Sequence, residues 1–158
     1  MVTPTVDVNI DCHARSIPPA ATIRAWVEAA LVAAGLGERP LEVSVRVVDE
    51  DTIRVLNRDY RGKDEPTNVL SFPAGEQHGL PAEASRPFGD IVVCASIVDA
   101  EARASRKAVA NHWAHMLVHG TLHLAGFDHE SDEDAARMES LEVRILARKG
   151  IADPYRMT

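Results

Sequence analysis

The chain has 158 residues, of which 46% are hydrophobic and 26% charged, and it carries a formal net charge of -7. This composition is that of a folded chain rather than a disordered one, and the negative charge argues against a protein that coats nucleic acid. Residues 1–158 are expected to form one domain, with neither a transmembrane run of ~20 apolar residues nor a secretory signal at the start.

The first elements are predicted from the spacing of apolar residues. Apolar and polar residues alternate over 6–10 and again over 41–47, which indicates two half-buried strands. Between these strands, a helix is expected to begin after Pro19 and to end at Gly35.

A second helix follows, for which Asp49 or Asp51 is a suitable N-cap. Its apolar face is predicted to consist of Ile53, Leu56 and Tyr60.

The middle of the chain is predicted to hold two strands separated by a surface loop. A short strand over 69–72 precedes an irregular stretch over 74–88, and an apolar run over 91–95 indicates an interior strand. Ser96 and Asp99 resemble a capping box that would begin a third helix.

Two further helices are predicted in the last third. The first covers 109–124 and stops before Gly126, and the second is capped by Ser131 with Asp134. The buried stripe of this last helix is predicted to be Met138, Leu141 and Ile145. The acidic residues over 128–142 are interpreted as a solvated helix start. Together the elements predict an α/β (α+β) fold, a small mixed sheet of four to five strands flanked by about five helices.

Histidines are concentrated in one segment, where five of the seven lie between His112 and His129. His119 and His123 are four residues apart on a predicted helix and therefore point the same way. A chain reversal at Gly126 would bring His129 beside them. Three neutral imidazoles suit Zn²⁺ and leave an open position for water or substrate.

Other interpretations of this segment stay open. Histidines four apart also occur by chance, and a purely structural metal would need a fourth ligand, which the adjacent Asp128 can provide. Asp128 is equally suited to orient a ligating imidazole. His115 is interpreted as a core or supporting histidine, and His112 as structural or exposed. Gly120 occupies the position where zinc peptidases of the H-E-x-x-H type carry their general base, which argues against a peptidase.

A basic cluster at the end of the second helix consists of Arg58, Arg61 and Lys63. Such residues often complement a helix C-terminus. The planar guanidinium also matches phosphate oxygens, so phosphate binding is the alternative.

Three blocks and a tail carry a family resemblance: Asn57–Pro73, Gly89-Asp90-Ile91, His119–His129 and Asp153-Pro154-Tyr155. In their order and spacing they resemble the YbeY family of metal-dependent endoribonucleases, which are rRNA maturation factors. The resemblance implies one Zn²⁺ held by His119, His123 and His129, with Arg61 as the functional arginine.

The resemblance also implies a substrate and partners. The expected substrate is single-stranded RNA, notably the 3′ end of small-subunit rRNA. The expected partners are the ribosome or small-subunit ribosomal proteins, with a role in ribosome quality control and no membrane or DNA partner. Cys12 and Cys94, far apart in sequence, favour a reducing, cytoplasmic location. The alternatives are a divergent zinc peptidase or hydrolase, and a non-enzymatic ribosome-assembly factor with a structural zinc.

A hypothesis for the mechanism assigns Arg61 to the scissile phosphate. The general base stays open between Asp128, Glu130 and a substrate 2′-hydroxyl. Tyr60 and Phe72 are possible stacking residues, although core packing is the favoured role of Phe72.

Overall fold

A computed structural model describes residues 3–75 and 84–156. Over these ranges the chain forms four strands and five helices, in the order β1 (Thr5–Ile10), α1 (Ala20–Ala33), β2 (Leu41–Val48), α2 (Glu50–Arg61), β3 (Val69–Pro73), β4 (Arg86–Cys94), α3 (Ala95–Ala104), α4 (Val109–Leu124) and α5 (Asp132–Ala147). This is the α/β architecture that the sequence predicts, at the lower end of the expected strand number.

The sheet has the strand order β1-β2-β4-β3. β1, β2 and β4 run parallel, and β3 pairs antiparallel with β4 at the edge. Because β2 and β4 lie in the interior of the sheet, their apolar residues are buried, as the patterns over 41–47 and 91–95 predict.

Two apolar cores lie on the two faces of the sheet. The larger packs α1, α4 and α5 against β2 and β4 and contains Trp113 and Leu117. The smaller lies under α2 and consists of Val48, Ile53, Leu70, Val92 and Cys94. The larger core surrounds α4, of which eleven of the sixteen residues are buried. Two of the three candidate histidines, His119 and His123, are thus carried by a helix that packing holds rigidly.

Local sequence explains where several helices begin and end. The Asp49 carboxylate accepts a hydrogen bond from the backbone N–H of Thr52 at 2.9 Å and caps α2. Ser131 Oγ accepts one from Asp134 N–H at 3.0 Å and caps α5, as predicted. Gly62 ends α2 with a φ of +72°, a left-handed conformation that glycine adopts without a Cβ clash.

Three local predictions are wrong. Tyr60 is 71% exposed, so it lies outside the buried face of α2, which instead includes Asn57. α3 begins at Ala95 with Cys94 at the N-cap position, because β4 runs directly into the helix, and Ser96 therefore does not cap it. Leu141 is only half-buried on α5.

The predicted loop over 74–88 extends too far, because β4 begins at Arg86. Arg86 pairs with Leu41 and Pro87 with Glu42, so the last residues of this stretch already belong to β4. The remainder of the predicted loop, over 76–83, lies outside the described residues. None of the helices in the described ranges is long and apolar enough to cross a bilayer.

Candidate metal centre

Two histidines project from the C-terminal half of α4. The ring centroids of His119 and His123 are 4.5 Å apart, and their Nε2 atoms are separated by 3.1 Å. This is the same-face arrangement expected from a spacing of four residues on a helix.

The chain leaves α4 through a turn that places the third histidine. Gly126 N–H donates to the carbonyl of His123, and Phe127 N–H donates to that of Leu122, which closes the end of the helix. Gly126 has a φ of +105°, a conformation that strains any residue with a Cβ. As a result, His129 stacks on His119 with ring centroids 5.0 Å apart.

The three histidines form a set that can hold a metal ion. One ring nitrogen from each of His119, His123 and His129 lies within 4.8 Å of the other two. Burial, and then the adjacent rings of His119 and His129, lower the pKa of His123 to about 4. His123 is therefore neutral at physiological pH and has a lone pair free for coordination. An all-nitrogen set of neutral imidazoles is one that divalent transition metals, Zn²⁺ among them, bind well.

A buried carboxylate supports this set from behind. Glu142 on α5 is fully buried, and its Oε2 lies 2.8 Å from Nδ1 of His119. Its Oε1 accepts a hydrogen bond from the hydroxyl of Tyr155 and lies 3.1 Å from Nε2 of His115. Burial alone would raise the pKa of Glu142, but the hydrogen bonds from His115, His119 and Tyr155 outweigh it and lower the pKa to about 2.

Glu142 and Tyr155 are functional candidates that the sequence analysis missed. The interpretation of 128–142 as a solvated acidic stretch is wrong at Glu142. A signal was present, because Glu142 lies four residues after Met138 and three before Ile145, on the buried stripe of the helix. An acidic residue at such a position needs a buried partner.

The remaining histidines of the cluster take supporting positions. His115 is buried one turn before His119 and contacts both Glu142 and Tyr155, in keeping with the predicted core or supporting role. With Glu142 and His119 it forms a second close group of potential ligand atoms, but hydrogen bonds already occupy that carboxylate. His112 is buried, with Nε2 2.9 Å from Glu101.

A cleft of about 490 Å³ opens over the three histidines. Its other lining residues are Arg61, Asn68, Val69, Ser71, Asp128 and Glu130. Arg61 is the last residue of α2, so the end of that helix places Arg61 in the lining of the cleft. The other arginines of this helix are engaged elsewhere, since Arg58 pairs with Asp59 at 3.0 Å and Arg54 with Asp64 at 2.8 Å.

Asp128 and Glu130, the candidate bases, both line this cleft. Asp128 Oδ1 accepts a hydrogen bond from the backbone N–H of Glu130 at 3.1 Å, which orders the turn before α5. Asp128 was considered above as the group that orients a ligating imidazole. In the structure the carboxylate that contacts a candidate ligand in this way is that of Glu142, which lies against His119.

Gly120 allows α4 to lie directly against the sheet. Ser71 Oγ donates to the carbonyl of Gly120 at 2.7 Å. A Cβ at Gly120 would come within 3.0 Å of Val69 Cγ2 and 3.1 Å of Ile91 Cγ2. The position that would carry a peptidase's base therefore faces β3 and β4 rather than the cleft.

A second cleft, of about 500 Å³, lies beside the two candidate stacking residues. Tyr60 packs edge-to-face on Phe72, with ring centroids 5.3 Å apart. Phe72 also packs on the smaller core, as predicted for it, whereas Tyr60 presents its ring to solvent.

Comparisons with known proteins agree on one family. The family model described as Endoribonuclease YbeY matches residues 9–150. Curated relatives named Endoribonuclease YbeY are 56% identical over 140 residues in Halorhodospira halophila (89% of each chain) and 49% identical over 156 residues in Alcanivorax borkumensis (97% of this chain and 87% of the relative). The solution structure of TM1509 from Thermotoga maritima superposes with a TM-score of 0.58 at 25% identity, covering 97% of this chain and 100% of that one. The chain belongs to the YbeY family.

Proposed function

We propose that the protein is a metal-dependent endoribonuclease that cleaves single-stranded RNA. The observation that carries this proposal is the convergence of His119, His123 and His129 under a cleft that Arg61 also lines. The name of the relatives, Endoribonuclease YbeY, supports the same reaction class.

The ion that we propose is a single Zn²⁺, held by the three histidines. The 3.1 Å between the Nε2 atoms of His119 and His123 suits tetrahedral coordination at zinc–nitrogen distances of about 2.0–2.1 Å. When bound, Zn²⁺ supplies Lewis acidity, which polarises a phosphoryl oxygen and lowers the pKa of water.

The residues around the ion have separate tasks. Three neutral imidazoles leave the positive charge of a divalent ion uncancelled, and Arg61 adds a fixed cation to the same cleft. Arg61 binds two oxygens of the scissile phosphate through its planar guanidinium and stabilises the charge that gathers on them. Asp128 and Glu130 are the carboxylates in the cleft that can accept a proton, and a substrate 2′-hydroxyl is the third possibility.

The cellular task that we propose is maturation of rRNA, at the 3′ end of the small-subunit RNA, and ribosome quality control in the cytoplasm. The chain has an overall charge of -7, so a long RNA would not be held by charge alone. Target choice is therefore assigned to the ribosome or to small-subunit ribosomal proteins as partners.

The decisive experiment combines metal analysis with cleavage of a single-stranded RNA, a duplex RNA and casein. Wild type, His123→Ala and His13→Ala are compared. His13 is exposed and is not a candidate ligand, so His13→Ala shows the effect of losing a histidine that does not bind the ion. We expect wild type and His13→Ala to bind one Zn²⁺ and to cut only single-stranded RNA, and His123→Ala to lose both properties. Casein cleavage would support the peptidase alternative. A stable zinc protein without cleavage would support the assembly factor.

A further inference from the structure

The segment over 151–156 is fastened to the body of the protein at several points. Lys107 Nζ donates to the carbonyl of Pro154 at 2.6 Å, and Ile151 N–H donates to that of Leu146 at 3.1 Å. Within the segment, Tyr155 N–H donates to Asp153 Oδ1 at 2.8 Å. These contacts fix the direction in which the ring of Tyr155 enters the protein.

Tyr155 enters beside the helix that carries the candidate ligands. Its ring lies edge-to-face on that of His115, with centroids 5.2 Å apart, and its hydroxyl donates to Oε1 of Glu142. Burial, and then the neighbouring carboxylate of Glu142, raise the pKa of Tyr155 well above its ordinary value. The phenol therefore keeps its proton and serves as a donor.

Three donors thus surround the two oxygens of Glu142. Oε1 faces the Tyr155 hydroxyl and Nε2 of His115, and Oε2 faces Nδ1 of His119. An ionised carboxylate can only accept hydrogen bonds, so Nδ1 of His119, 2.8 Å from Oε2, is the atom that carries the hydrogen. A neutral imidazole has one N–H, and the Nε2 of His119 is then left with a lone pair directed at His123 and His129.

We propose that the segment over 151–156 is part of the metal centre, with Tyr155 as a positioning residue that holds Glu142 so that His119 presents Nε2 to the ion. Glu142 is the second positioning residue, because it contacts the ligand directly. His115 supplies the remaining donor, so its Nε2 is committed to Glu142 and not to the ion. This inference rests on the metal-binding part of the proposed function and not on the RNA substrate.

The proposal predicts that removal of one hydroxyl, remote from the ion, weakens metal binding. Tyr155→Phe keeps the ring on His115 but leaves Oε1 of Glu142 with one donor fewer. Loss of a group that contacts a metal ligand, as Glu142 contacts His119, typically lowers metal affinity by about 10–100-fold, and Tyr155, which acts through Glu142, should lie at the lower end of this range. The chain offers a matched control, since its other tyrosine, Tyr60, has an exposed ring on the far side of β3.

Two measurements test the proposal on the full chain. Zn²⁺ affinity is measured by competition with a chromophoric chelator for wild type, Tyr155→Phe, Tyr60→Phe and Glu142→Gln. The tautomer of His119 is read from ¹⁵N chemical shifts in the metal-free, histidine-labelled proteins. Thermal midpoints of the metal-free proteins separate loss of fold from loss of positioning.

We expect metal-free wild type and Tyr60→Phe to show His119 protonated on Nδ1. Tyr155→Phe should bind Zn²⁺ about tenfold more weakly, with a mixed His119 tautomer in a protein that is still folded. Equal Zn²⁺ affinity for the two tyrosine variants, or a wild-type His119 protonated on Nε2, would overturn the proposal. Both readouts are made without RNA, so absence of RNA cleavage would count against the proposed activity alone.

Discussion

The Nε2 atoms of His119 and His123 lie 3.1 Å apart on one turn of a buried helix. Two nitrogens bound tetrahedrally at about 2.0–2.1 Å from a zinc ion are separated by about 3.3 Å. The helix therefore holds two ligands near their coordination spacing before an ion arrives. Little reorganisation is needed on binding, because α4 is packed on most of its sides.

His123→Ala should abolish stoichiometric zinc binding. It removes one of three ligands, so the loss of affinity should exceed the roughly 10–100-fold that loss of a supporting partner costs. Zinc content after gel filtration, measured by atomic emission, checks this. His13→Ala, which changes an exposed histidine, should retain one zinc per chain. A variant His123→Ala that still carries one zinc would contradict the assigned ligand set.

Chelation should remove the ion without unfolding the chain. The larger of the two apolar cores contains Trp113, Leu117 and Met138, and none of the three histidines belongs to it. We expect the circular dichroism spectrum to persist and the thermal midpoint to fall, because the ion binds only the folded state. Cooperative unfolding on chelation at 25 °C would instead indicate a structural metal.

Arg61→Ala should lower kcat for RNA cleavage by about 10²–10³-fold, the usual effect of removing one donor that stabilises developing negative charge. Arg61→Lys should recover only part of the rate, because an ammonium group lacks the planar fork. Arg148→Ala is a suitable control. Arg148 follows the C-terminal end of α5, roughly 24 Å along the helix from its first residues, which follow His129 in the chain. Unchanged kcat in Arg61→Ala, with zinc still bound, would remove Arg61 from the mechanism.

Gly120→Ala should destabilise the protein even though alanine favours helix. The added methyl meets side chains of Val69 and Ile91 at 3.0 and 3.1 Å. Overpacking costs about 1–3 kcal/mol, and a helix-propensity gain of about 1 kcal/mol offsets part of this, which leaves a net loss of up to about 2 kcal/mol. Urea unfolding measures this. In the comparison variant Gly75→Ala the new Cβ has no heavy atom of the described residues within 4 Å, so its stability should change by less than about 0.5 kcal/mol.

Asp49 should make the stability of the protein depend on acid pH. Asp49 accepts hydrogen bonds from Thr52, first from its backbone N–H and then from its side chain, and these hold the pKa of Asp49 below its usual 3.8. The folded state therefore binds this proton less readily than the unfolded state, and the stabilisation is present above pH 3.8 and lost as the pH falls through the folded value. Asp49→Asn keeps an acceptor but does not titrate. Wild type should thus lose more stability than this variant between pH 6 and pH 3, measured by urea unfolding, and parallel curves would contradict the assignment.

The convergence of the three candidate ligands could be predicted from sequence because their geometry is local. A spacing of four on a helix, followed by a glycine, determines how His119, His123 and His129 approach each other. The order of the strands could not be predicted, because β4 pairs in parallel with β2, far earlier in the chain, and so lies between β2 and β3.

The roles of Glu142 and Tyr155 beside the candidate ligands were not predicted for a related reason. Glu142 lies 23 residues after His119 and Tyr155 a further 13 beyond, so their meeting depends on how α5 and the following segment pack on α4. Local charge favoured a solvated Glu142, and helix periodicity, which placed it on the buried stripe, was the better guide. Ser96 failed as a cap for a similar reason, because the strand before it continued into the helix without a turn.

The turn at Gly126 makes the three candidate ligands unequal in exposure. His119 and His123 are carried by a packed helix, whereas His129 is exposed on the loop that joins α4 to α5. If the three histidines hold the proposed ion, its departure would begin at His129, and the helix would retain two nitrogens that can bind it again. The dissociation rate of the ion would then be set by how fast this loop opens. Substitutions in the turn at Gly126 would change that rate without any change to the helix.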